Sequence, residues 1–216
     1  MQALRYQHLV YIPITKHAST TYQEFFRNRL GWQSITVRDI NWGKDHVFAH
    51  IINPLDRHIK GTAEFLWQHY LEDLIDDPKF CKLLSTAVFD LHSYPLVALF
   101  GIERMYQIDW LMLDHPRVPG NKVTSRFLQN QGINVQAEDI PKINFSRRKK
   151  RIFIDKLKQI RDSLDMTKTL GHFYALDLEV YDAVNQNTAF GEIDNWPWEK
   201  VSWLSKLPHH KSQEDQ

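Results

Sequence analysis

Short apolar runs alternate along the chain with longer stretches in which apolar residues recur every three or four positions. Leu9–Ile12 is such a run, and Pro13, which cannot donate a ladder hydrogen bond, suits its exit from a strand. Apolar residues then follow helical spacing over residues 20–30. Thr21 and Glu24 have the spacing of a capping box, so we expect this helix to begin at or just before Thr21.

The same alternation continues into the second half of the chain. The further predicted elements, in chain order, are strands 34–37 and 46–52, a helix 57–76, helical segments 80–92 and 95–105, a strand 106–113, and helices 122–131, 151–163 and 171–186. Alternating strands and helices predict an α/β fold with three α/β/α layers, in which helices cover both faces of a central, mainly parallel sheet. We expect one domain over residues 1–208 and a disordered polar tail over residues 209–216.

Composition and charge narrow the classes of protein to which the chain can belong. It has 216 residues, of which 43% are hydrophobic, including seven Trp and twelve Phe, enough to bury one sizeable core. A net charge of +1 is too small for a protein that coats nucleic acid. No apolar run approaches the roughly 18 residues that span a bilayer, and the first eight residues do not form a secretory signal. We therefore expect no nucleic-acid or membrane partner, and the sequence leaves the oligomeric state open. Cys81 is the only cysteine, so no internal disulfide can form and we expect a reducing, cytoplasmic location.

The segment between the first strand and the first helix has the chemistry of a phosphate-binding loop. A helix start offers unpaired backbone N–H groups and the positive end of the helix dipole to an anion. A lysine and three hydroxyl residues lie within it, and the candidate ligands of the phosphate are Lys16, His17, Ala18, Ser19, Thr20 and Thr21. The sequence G-x-x-x-x-G-K-[ST] is absent, which excludes the common nucleoside-triphosphatase loop. The spacing also fits an ordinary strand, turn and helix with a solvated lysine.

The run 11–21, Tyr-Ile-Pro-Ile-Thr-Lys-His-Ala-Ser-Thr-Thr, resembles the 5′-phosphosulfate-binding loop of the carbohydrate-type sulfotransferases. In that family the loop reads roughly aromatic or aliphatic, Pro, any, Pro or Thr, Lys, any, Ala or Gly, Ser, Thr. The lysine and hydroxyls of the family correspond here to Lys16, Ser19, Thr20 and Thr21. The resemblance implies the P-loop-like fold of a small soluble bacterial or viral member, with 3′-phosphoadenosine 5′-phosphosulfate (PAPS) as the sulfuryl donor.

A second resemblance follows in order along the chain. Residues 47–62 are similar to the family's strand and 3′-phosphate segment, in which an apolar strand leads into Arg-Asp/Asn-Pro-x-x-Arg-x-x-Ser. Asn53 and Arg57 match, whereas Ile52 replaces the first arginine and Lys60 the serine. The resemblance implies that Asn53, Arg57 and Lys60 bind the 3′-phosphate, with Lys60 restoring a positive charge one turn after Arg57 as a point charge. By itself, the segment also fits an Asn-Pro turn that begins an amphipathic helix.

Residues 147–151 form a run of five adjacent cations, Arg-Arg-Lys-Lys-Arg. Their charges repel one another unless an anion binds to them or solvent screens them. In many sulfotransferases a basic segment late in the chain folds over the nucleotide's 3′-phosphate, so the resemblance implies that Arg147 and Arg148 bind the cofactor. The alternatives are a solvated helix start and a patch that attracts nucleic acid. Because cations are unfavourable at a helix N-terminus, we expect a loop that ends near Arg151.

Sulfuryl transfer requires charge stabilisation and a general base. Charge accumulates on the oxygen that bridges sulfur and phosphorus, and we expect Lys16 and the helix-start amides to stabilise it. In the wider sulfotransferase group the base is a histidine or carboxylate between the first helix and the 3′-phosphate strand, and the candidates here are Asp39, Asp45 and His46. Histidine titrates near neutral pH, which suits a general base, and this favours His46. His46, however, lies at the start of its strand, whereas ligands bind beyond the carboxyl ends of strands. Asp39 follows the predicted strand 34–37 and so lies nearer the carboxyl edge at which ligands bind.

Asp114 and His115 follow the predicted strand 106–113 and either line the acceptor pocket or form a turn. The histidines show no metal-ligand spacing, so we expect no metal site. The sequence thus predicts a PAPS-dependent sulfotransferase that modifies a hydroxyl of a carbohydrate or small-molecule acceptor. The alternative is a non-catalytic homologue that binds a nucleotide, glycan or protein partner, which Ile52 and Lys60 favour. A nucleotide kinase is a third possibility, but the glycine-rich loop and an acidic Mg²⁺-binding pair are missing.

Overall fold

In the part of the chain that the structure describes, five β-strands form one central sheet. The computed structural model describes residues 1–84, 88, 92–141, 148–163 and 166–190. The strands are β1 (Gln2–Tyr6), β2 (Leu9–Ile12), β3 (Gln33–Thr36), β4 (His46–Ile51) and β5 (Ile108–Met112). They lie side by side in the order β3-β1-β2-β4-β5. The four predicted strands are thereby confirmed as β2 to β5, with small shifts at their ends.

The sheet is mixed rather than mainly parallel, so that part of the prediction is wrong. β2, β4 and β5 run in the same direction, with Ile12 opposite Ala49. β1 is antiparallel to both β2 and β3, which makes two strand pairs parallel and two antiparallel. β1 is not predicted from the sequence. Ala3 and Leu4 are both buried, on opposite faces of the sheet, so the strand lacks the alternation of apolar and polar residues that marks a half-exposed strand.

Helices cover both faces of this sheet, as predicted. They are α1 (Ser19–Glu24), α2 (Pro54–Gln68), α3 (Pro78–Leu84), α4 (Leu96–Phe100), α5 (Ile102–Met105), α6 (Gly120–Asn130), α7 (Arg148–Ser163), α8 (Met166–Leu170) and α9 (Ala175–Phe190). α1 continues directly into a π-helical segment, Phe25–Arg29. One face of the sheet packs against α4, α5 and α9, through residues such as Val180. The other face packs against α1, the π-helical segment and α6, through Phe26 and Phe127.

A third apolar cluster joins helices to one another beside the sheet. α2, α3 and α7 pack together around Ile59, Phe80 and Leu157. The cluster also includes Tyr174, which immediately precedes α9. It fixes α7 and the start of α9 against α2, the helix that leaves the carboxyl end of β4.

Two predicted helices differ in their bounds. The predicted helix 57–76 begins earlier, at Pro54, and ends at Gln68, after which a short 3₁₀ segment follows. Gly101, with a φ of 78°, divides the predicted helix 95–105 into α4 and α5. A backbone conformation of this kind favours glycine and cannot continue a right-handed helix.

α7 begins at Arg148, so the prediction of a loop that ends near Arg151 is wrong. The cations at residues 148–151 destabilise the first turn of α7, and the packing of α7 against α2 offsets this effect. The predicted helix 80–92 is present in α3 as far as Leu84. The parts of the predicted elements that lie outside the described residues are 85–87, 89–91 and 209–216.

Gly61 marks a close approach between α2 and a neighbouring segment. A Cβ atom at Gly61 would lie 2.7 Å from the carbonyl carbon and oxygen of His92 and 2.9 Å from the Ser93 nitrogen. Because these are backbone atoms, we expect Gly61→Ala to lower the free energy of unfolding by about 2 kcal/mol, in spite of the better helix propensity of alanine. Urea unfolding measures this loss. Gly43→Ala is the control, since its Cβ would meet only the Asn41 Oδ1 at 3.8 Å, and equal losses in the two variants would contradict the prediction.

Candidate functional site

The carboxyl ends of β2, β4 and β5 open on one edge of the sheet. Segments of loop leave this edge after Ile12, Ile51 and Met112. In open α/β sheets this is the edge at which ligands bind. Because β2 and β4 are neighbours, the loop that contains Lys16 and the turn that contains Asn53 lie next to each other.

The loop between β2 and α1 is a tight turn with two residues in the left-handed region. Lys16 has a φ of 68° and Ala18 a φ of 54°. α1 begins at Ser19, and the Tyr22 N–H donates to the Ala18 carbonyl over 3.1 Å. The N–H groups of the first turn therefore lack an intrahelical acceptor. Turns with left-handed residues can direct successive N–H groups into one anion-binding concavity.

Among the residues that the structure describes, no side chain caps α1. Its N-cap is Ala18, and the predicted capping box of Thr21 and Glu24 is wrong, because a capping residue precedes the helix whereas Thr21 lies inside its first turn. Of the three hydroxyl residues, Thr21 is buried, Ser19 is half-buried and Thr20 is exposed. Ser19 and Thr20 are accordingly the hydroxyl residues that a ligand at the loop can reach.

His17 links the loop to β4 through a hydrogen bond. Its imidazole is fully buried, and its Nδ1–H donates to the carbonyl oxygen of His50 over 2.5 Å. Burial, and then the nearby Arg57 guanidinium, hold the pKa of His17 well below its usual range, so the ring is neutral. Within the described part of the chain, Nε2 has no hydrogen-bond partner. His17 therefore positions the loop and brings no charge to a ligand.

A buried polar network lies beneath the loop. The Tyr11 hydroxyl donates to Nδ1 of His50 over 3.2 Å, and Nε2–H of His50 donates to Oγ1 of Thr124 over 2.9 Å. Thr124 in turn donates to the Gly120 carbonyl over 2.9 Å. Burial lowers the pKa of His50 to about 3, so the ring is neutral near pH 7. Both ring nitrogens are satisfied in this arrangement, which links β4 to α6.

Lys16 extends from the loop to α2. Its Nζ lies 2.8 Å from Oε2 of Glu64, and the two side chains are 19% and 17% exposed. Gln68, one turn further along α2, donates from Nε2 to Oε1 of Glu64 over 3.1 Å. The cation that was predicted to bind a phosphosulfate thus has a carboxylate partner within the protein.

Asn53 caps α2. Its Oδ1 accepts from the N–H groups of Leu55 and Asp56 over 3.0 and 3.3 Å, and Pro54 occupies the first helical position. The Asn53 N–H donates to Oδ2 of Asp114 over 2.8 Å. Because the side-chain oxygen is used in the cap, Asn53 has a structural role that is independent of any ligand.

Arg57 lies inside the protein, with 1% of its surface exposed. Its Nη1 donates to the Tyr94 carbonyl, and its charge lies close enough to Asp177 to lower the pKa of that carboxyl, against the larger effect of burial. Ile52, which stands in place of the family's first arginine, is also buried. Neither position presents a charge at the surface of this edge.

Lys60 is half-buried beside the loop. Desolvation lowers its pKa, while attraction to Asp56 and Asp114 acts in the opposite direction. Its charge contributes to the low pKa of His17, so the ammonium lies near the loop. Among the described residues it forms no hydrogen bond or ion pair of its own. Arg57 and Lys60 both lie near the loop, and Lys60 is the one of the two whose side chain is partly exposed.

The predicted bases Asp39 and His46 have partners other than Lys16. Oδ2 of Asp39 accepts from the N–H and the hydroxyl of Thr36 over 2.9 and 2.8 Å, and so stabilises its own turn. These hydrogen bonds lower the pKa of Asp39. His46 begins β4 at the opposite, amino-terminal edge of the parallel strands and pairs with Asp109.

The other predicted positions have partners of their own or lie outside the described residues. Asp45, the third candidate base, pairs with Arg5 over 2.5 Å. His115 forms a turn, since its Nδ1 accepts from the backbone N–H groups of Arg117 and Val118 over 3.2 and 3.0 Å. Arg147 lies outside the described residues, and Arg148 begins α7 with a side chain that also lies outside them.

Two further residues join the site: Asp114, which the sequence placed either in the acceptor pocket or in a turn, and Glu64, which it did not single out. Asp114 follows β5 at the same edge as Lys16, where Tyr181 of α9 lies beside it and desolvation raises the pKa of its carboxyl. Glu64 pairs with Lys16, although its only signal in the sequence is its position one helical turn after Lys60. Both depend on strand order and helix packing, which bring together residues that are distant in the chain.

No protein-family model, curated protein or solved structure matches the chain. Within the ranges that the structure describes, no three His, Cys, Asp or Glu side chains are grouped as a metal site requires. In the same ranges, no helix combines the length and apolar character needed to cross a membrane. The chemistry of the site therefore has to be inferred from its own residues.

Proposed function

We propose that the protein is a PAPS-dependent sulfotransferase that binds the phosphosulfate of its donor at Lys16 and the loop between β2 and α1. The observation that supports this proposal is the parallel pairing of β2 with β4. It puts the loop 13–18 and the segment 53–60 at one edge of the sheet, although they are far apart in the chain. These are the two segments that resemble the family's cofactor-binding motifs. The acceptor is a hydroxyl of a carbohydrate or of a small molecule.

The residues fit the two halves of PAPS unequally. Lys16, Ser19 and Thr20, with the first-turn N–H groups of α1, suit the 5′-phosphosulfate, because an ammonium, hydroxyls and unpaired amides all favour an anion. Arg57 is buried and holds a backbone carbonyl. Lys60 therefore supplies the positive charge for the 3′-phosphate.

The transfer itself needs one bond to break, one to form and one proton to move. The sulfur–oxygen bond to the phosphate breaks as the acceptor oxygen bonds to sulfur, and the acceptor proton passes to a base. Lys16 offsets the negative charge that develops on the bridging oxygen. We assign the base to Asp114 in preference to Asp39 or His46, because it lies at the same edge as Lys16 and its raised pKa makes the carboxylate more basic.

A non-catalytic protein that binds a nucleotide or another anion at this edge is the second candidate. Two observations favour it over an active enzyme. Lys16 is already paired with Glu64, and Arg57 is enclosed in the interior. Both features are compatible with binding, but they reduce the positive charge that a transferase directs at its donor.

We expect adenosine 3′,5′-bisphosphate to bind to the wild-type protein and Lys16→Ala to weaken this binding about 10- to 100-fold. The reason is that a charge-assisted hydrogen bond contributes about 1.5–3 kcal/mol. Isothermal titration calorimetry at low and physiological salt measures the change. Lys44→Ala is the matched control, since Lys44 is an exposed lysine just before the amino-terminal edge of β4, and it is expected to leave the Kd unchanged.

Three other outcomes have distinct meanings. Absence of bisphosphate binding by the wild type at both salt concentrations contradicts the cofactor assignment. Binding without sulfate transfer to any member of a broad acceptor panel favours the non-catalytic candidate. A clear preference for ATP over the bisphosphate indicates a kinase instead.

A further inference from the structure

Glu64 lies on the face of α2 that is turned toward the phosphate-binding loop. Its carboxylate is 2.8 Å from Lys16 Nζ, and its other oxygen is held by Gln68 over 3.1 Å. Lys60 is one helical turn before Glu64, and residues at this spacing share one helix face. A carboxylate thus pairs with one of the two lysines that the proposed ligand uses and lies one helical turn from the other along α2.

The backbone of the loop has little freedom to rearrange around a ligand. The His17 side chain is bonded to the carbonyl of β4, and the His17 N–H donates to the Ile14 carbonyl over 3.1 Å. What can change is the partner of the Lys16 ammonium. An anion that binds at the loop through Lys16 competes with Glu64 for the charge of that ammonium.

We propose that Glu64 is an internal competitor for Lys16 that sets the affinity of the loop for anions and restricts it to polyanions. This inference rests on the role of Lys16 in the proposed function. A ligand with a single negative charge gains at Lys16 about what it loses by displacing Glu64. A phosphosulfate or diphosphate has a second anionic group, which the first-turn N–H groups and Lys60 can bind in addition.

The test compares Glu64→Gln with the wild type, using inorganic pyrophosphate as the probe. Removing the competing charge is expected to tighten pyrophosphate binding about fivefold, the equivalent of a partly exposed ion pair. Calorimetry gives the Kd. Protection of Lys16 from reductive methylation, followed by mass spectrometry, shows that the probe binds at this lysine. Glu24→Gln is the charge-matched control, because Glu24 is exposed at the end of α1.

A double variant separates competition from a general effect of charge. If Glu64 acts through Lys16, then Glu64→Gln gives no gain in affinity when Lys16 is already alanine. An equal gain in both backgrounds overturns the proposal. A thermal midpoint for each variant shows that the folded protein is being compared.

The remaining outcomes decide the inference and the proposed function separately. A Glu64→Gln variant with a lower midpoint and an unchanged Kd means that the ion pair serves stability only, and the inference is overturned. It is also overturned if pyrophosphate protects Lys16 in neither protein. Tighter pyrophosphate binding by Glu64→Gln, with no binding of adenosine 3′,5′-bisphosphate by either protein, supports the inference and contradicts the proposed function.

Discussion

Lowering the pH from 7 to 5 is expected to reduce the free energy of unfolding by about 4–5 kcal/mol. Three histidines, His17, His50 and His58, are fully buried. Burial lowers the pKa of His50 to about 3 and that of His58 to about 4, and it holds the pKa of His17 well below its usual range. Each ring is therefore neutral in the folded protein at pH 5.

The direction of the change follows from proton uptake by the unfolded chain. An unfolded histidine has a pKa of about 6.5, so it binds a proton at pH 5 where the buried ring does not. The stability that these rings supply is complete above pH 6.5 and is lost as the pH falls toward their folded-state pKa values. Relative to pH 7, each ring that stays neutral costs about 2 kcal/mol at pH 5.

Asp177 acts in the opposite direction. Burial raises its pKa to about 6, and it accepts from the N–H groups of Leu96 and Val97 over 2.5 and 3.1 Å. The folded protein therefore binds a proton at Asp177 below pH 6, before the unfolded chain does. Protonation of Asp177 therefore raises the free energy of unfolding by about 1 kcal/mol between pH 7 and pH 5, which is smaller than the loss from the three histidines.

Urea unfolding at pH 7, 6 and 5 measures this pH dependence. His50→Gln keeps hydrogen-bonding groups at the centre of the buried network but cannot titrate, so its stability should fall less steeply, by about 1 kcal/mol per pH unit. His8→Asn is the control, since His8 is exposed, and it is expected to keep the wild-type slope. A wild-type stability that changes by less than 1 kcal/mol between pH 7 and pH 5 would contradict the assignment of neutral buried histidines.

Replacing Arg57 by methionine is expected to destabilise the protein by about 4 kcal/mol. The guanidinium is buried and donates to the Tyr94 carbonyl, and its charge lies near Tyr174 and Asp177. Methionine fills a similar volume but leaves the Tyr94 carbonyl without its donor and the buried Asp177 carboxyl without a nearby cation. Removing one member of such a buried polar group typically costs about 3–5 kcal/mol.

The same variant separates a structural role of Arg57 from a role in binding the 3′-phosphate. A structural arginine lowers the urea midpoint, whereas an arginine that only binds a ligand leaves the midpoint unchanged and weakens bisphosphate binding. Arg38→Met is the control, since Arg38 is exposed and its replacement is expected to change stability by less than about 0.5 kcal/mol. An Arg57→Met protein as stable as this control would refute the structural role.

The fold could be predicted from the sequence wherever one segment carries its own signal. β2 is an apolar run that ends at Pro13, and α6 and α9 follow helical spacing, so all three elements were found. β1 was missed because it has no polar alternation. Its position between β2 and β3 follows from pairing, and this strand makes the sheet mixed.

The site was predictable only in its local part. Lys16 lies in a loop whose character is visible in a few consecutive residues. Its partner Glu64 belongs to another helix, and the ion pair depends on how α2 packs against the loop. For Arg57 the sequence shows a charge at a motif position, but the side to which it turns depends on the helix packing around it. The carboxylate of Asp39 bonds to Thr36 in its own turn, and this local contact could not be read from its position after a predicted strand.

The strand order has a consequence for the way the chain folds. The neighbouring strands β3, β1, β2 and β4 all lie within the first 51 residues. Pairings between segments this close in the chain form quickly, so we expect this part to assemble first during synthesis. Until β5 is made, the free edge of β4 lacks its strand partner. Unpaired edges of this kind associate with other chains, so slow synthesis between residues 51 and 108 should be the stage at which the nascent protein is most prone to aggregate.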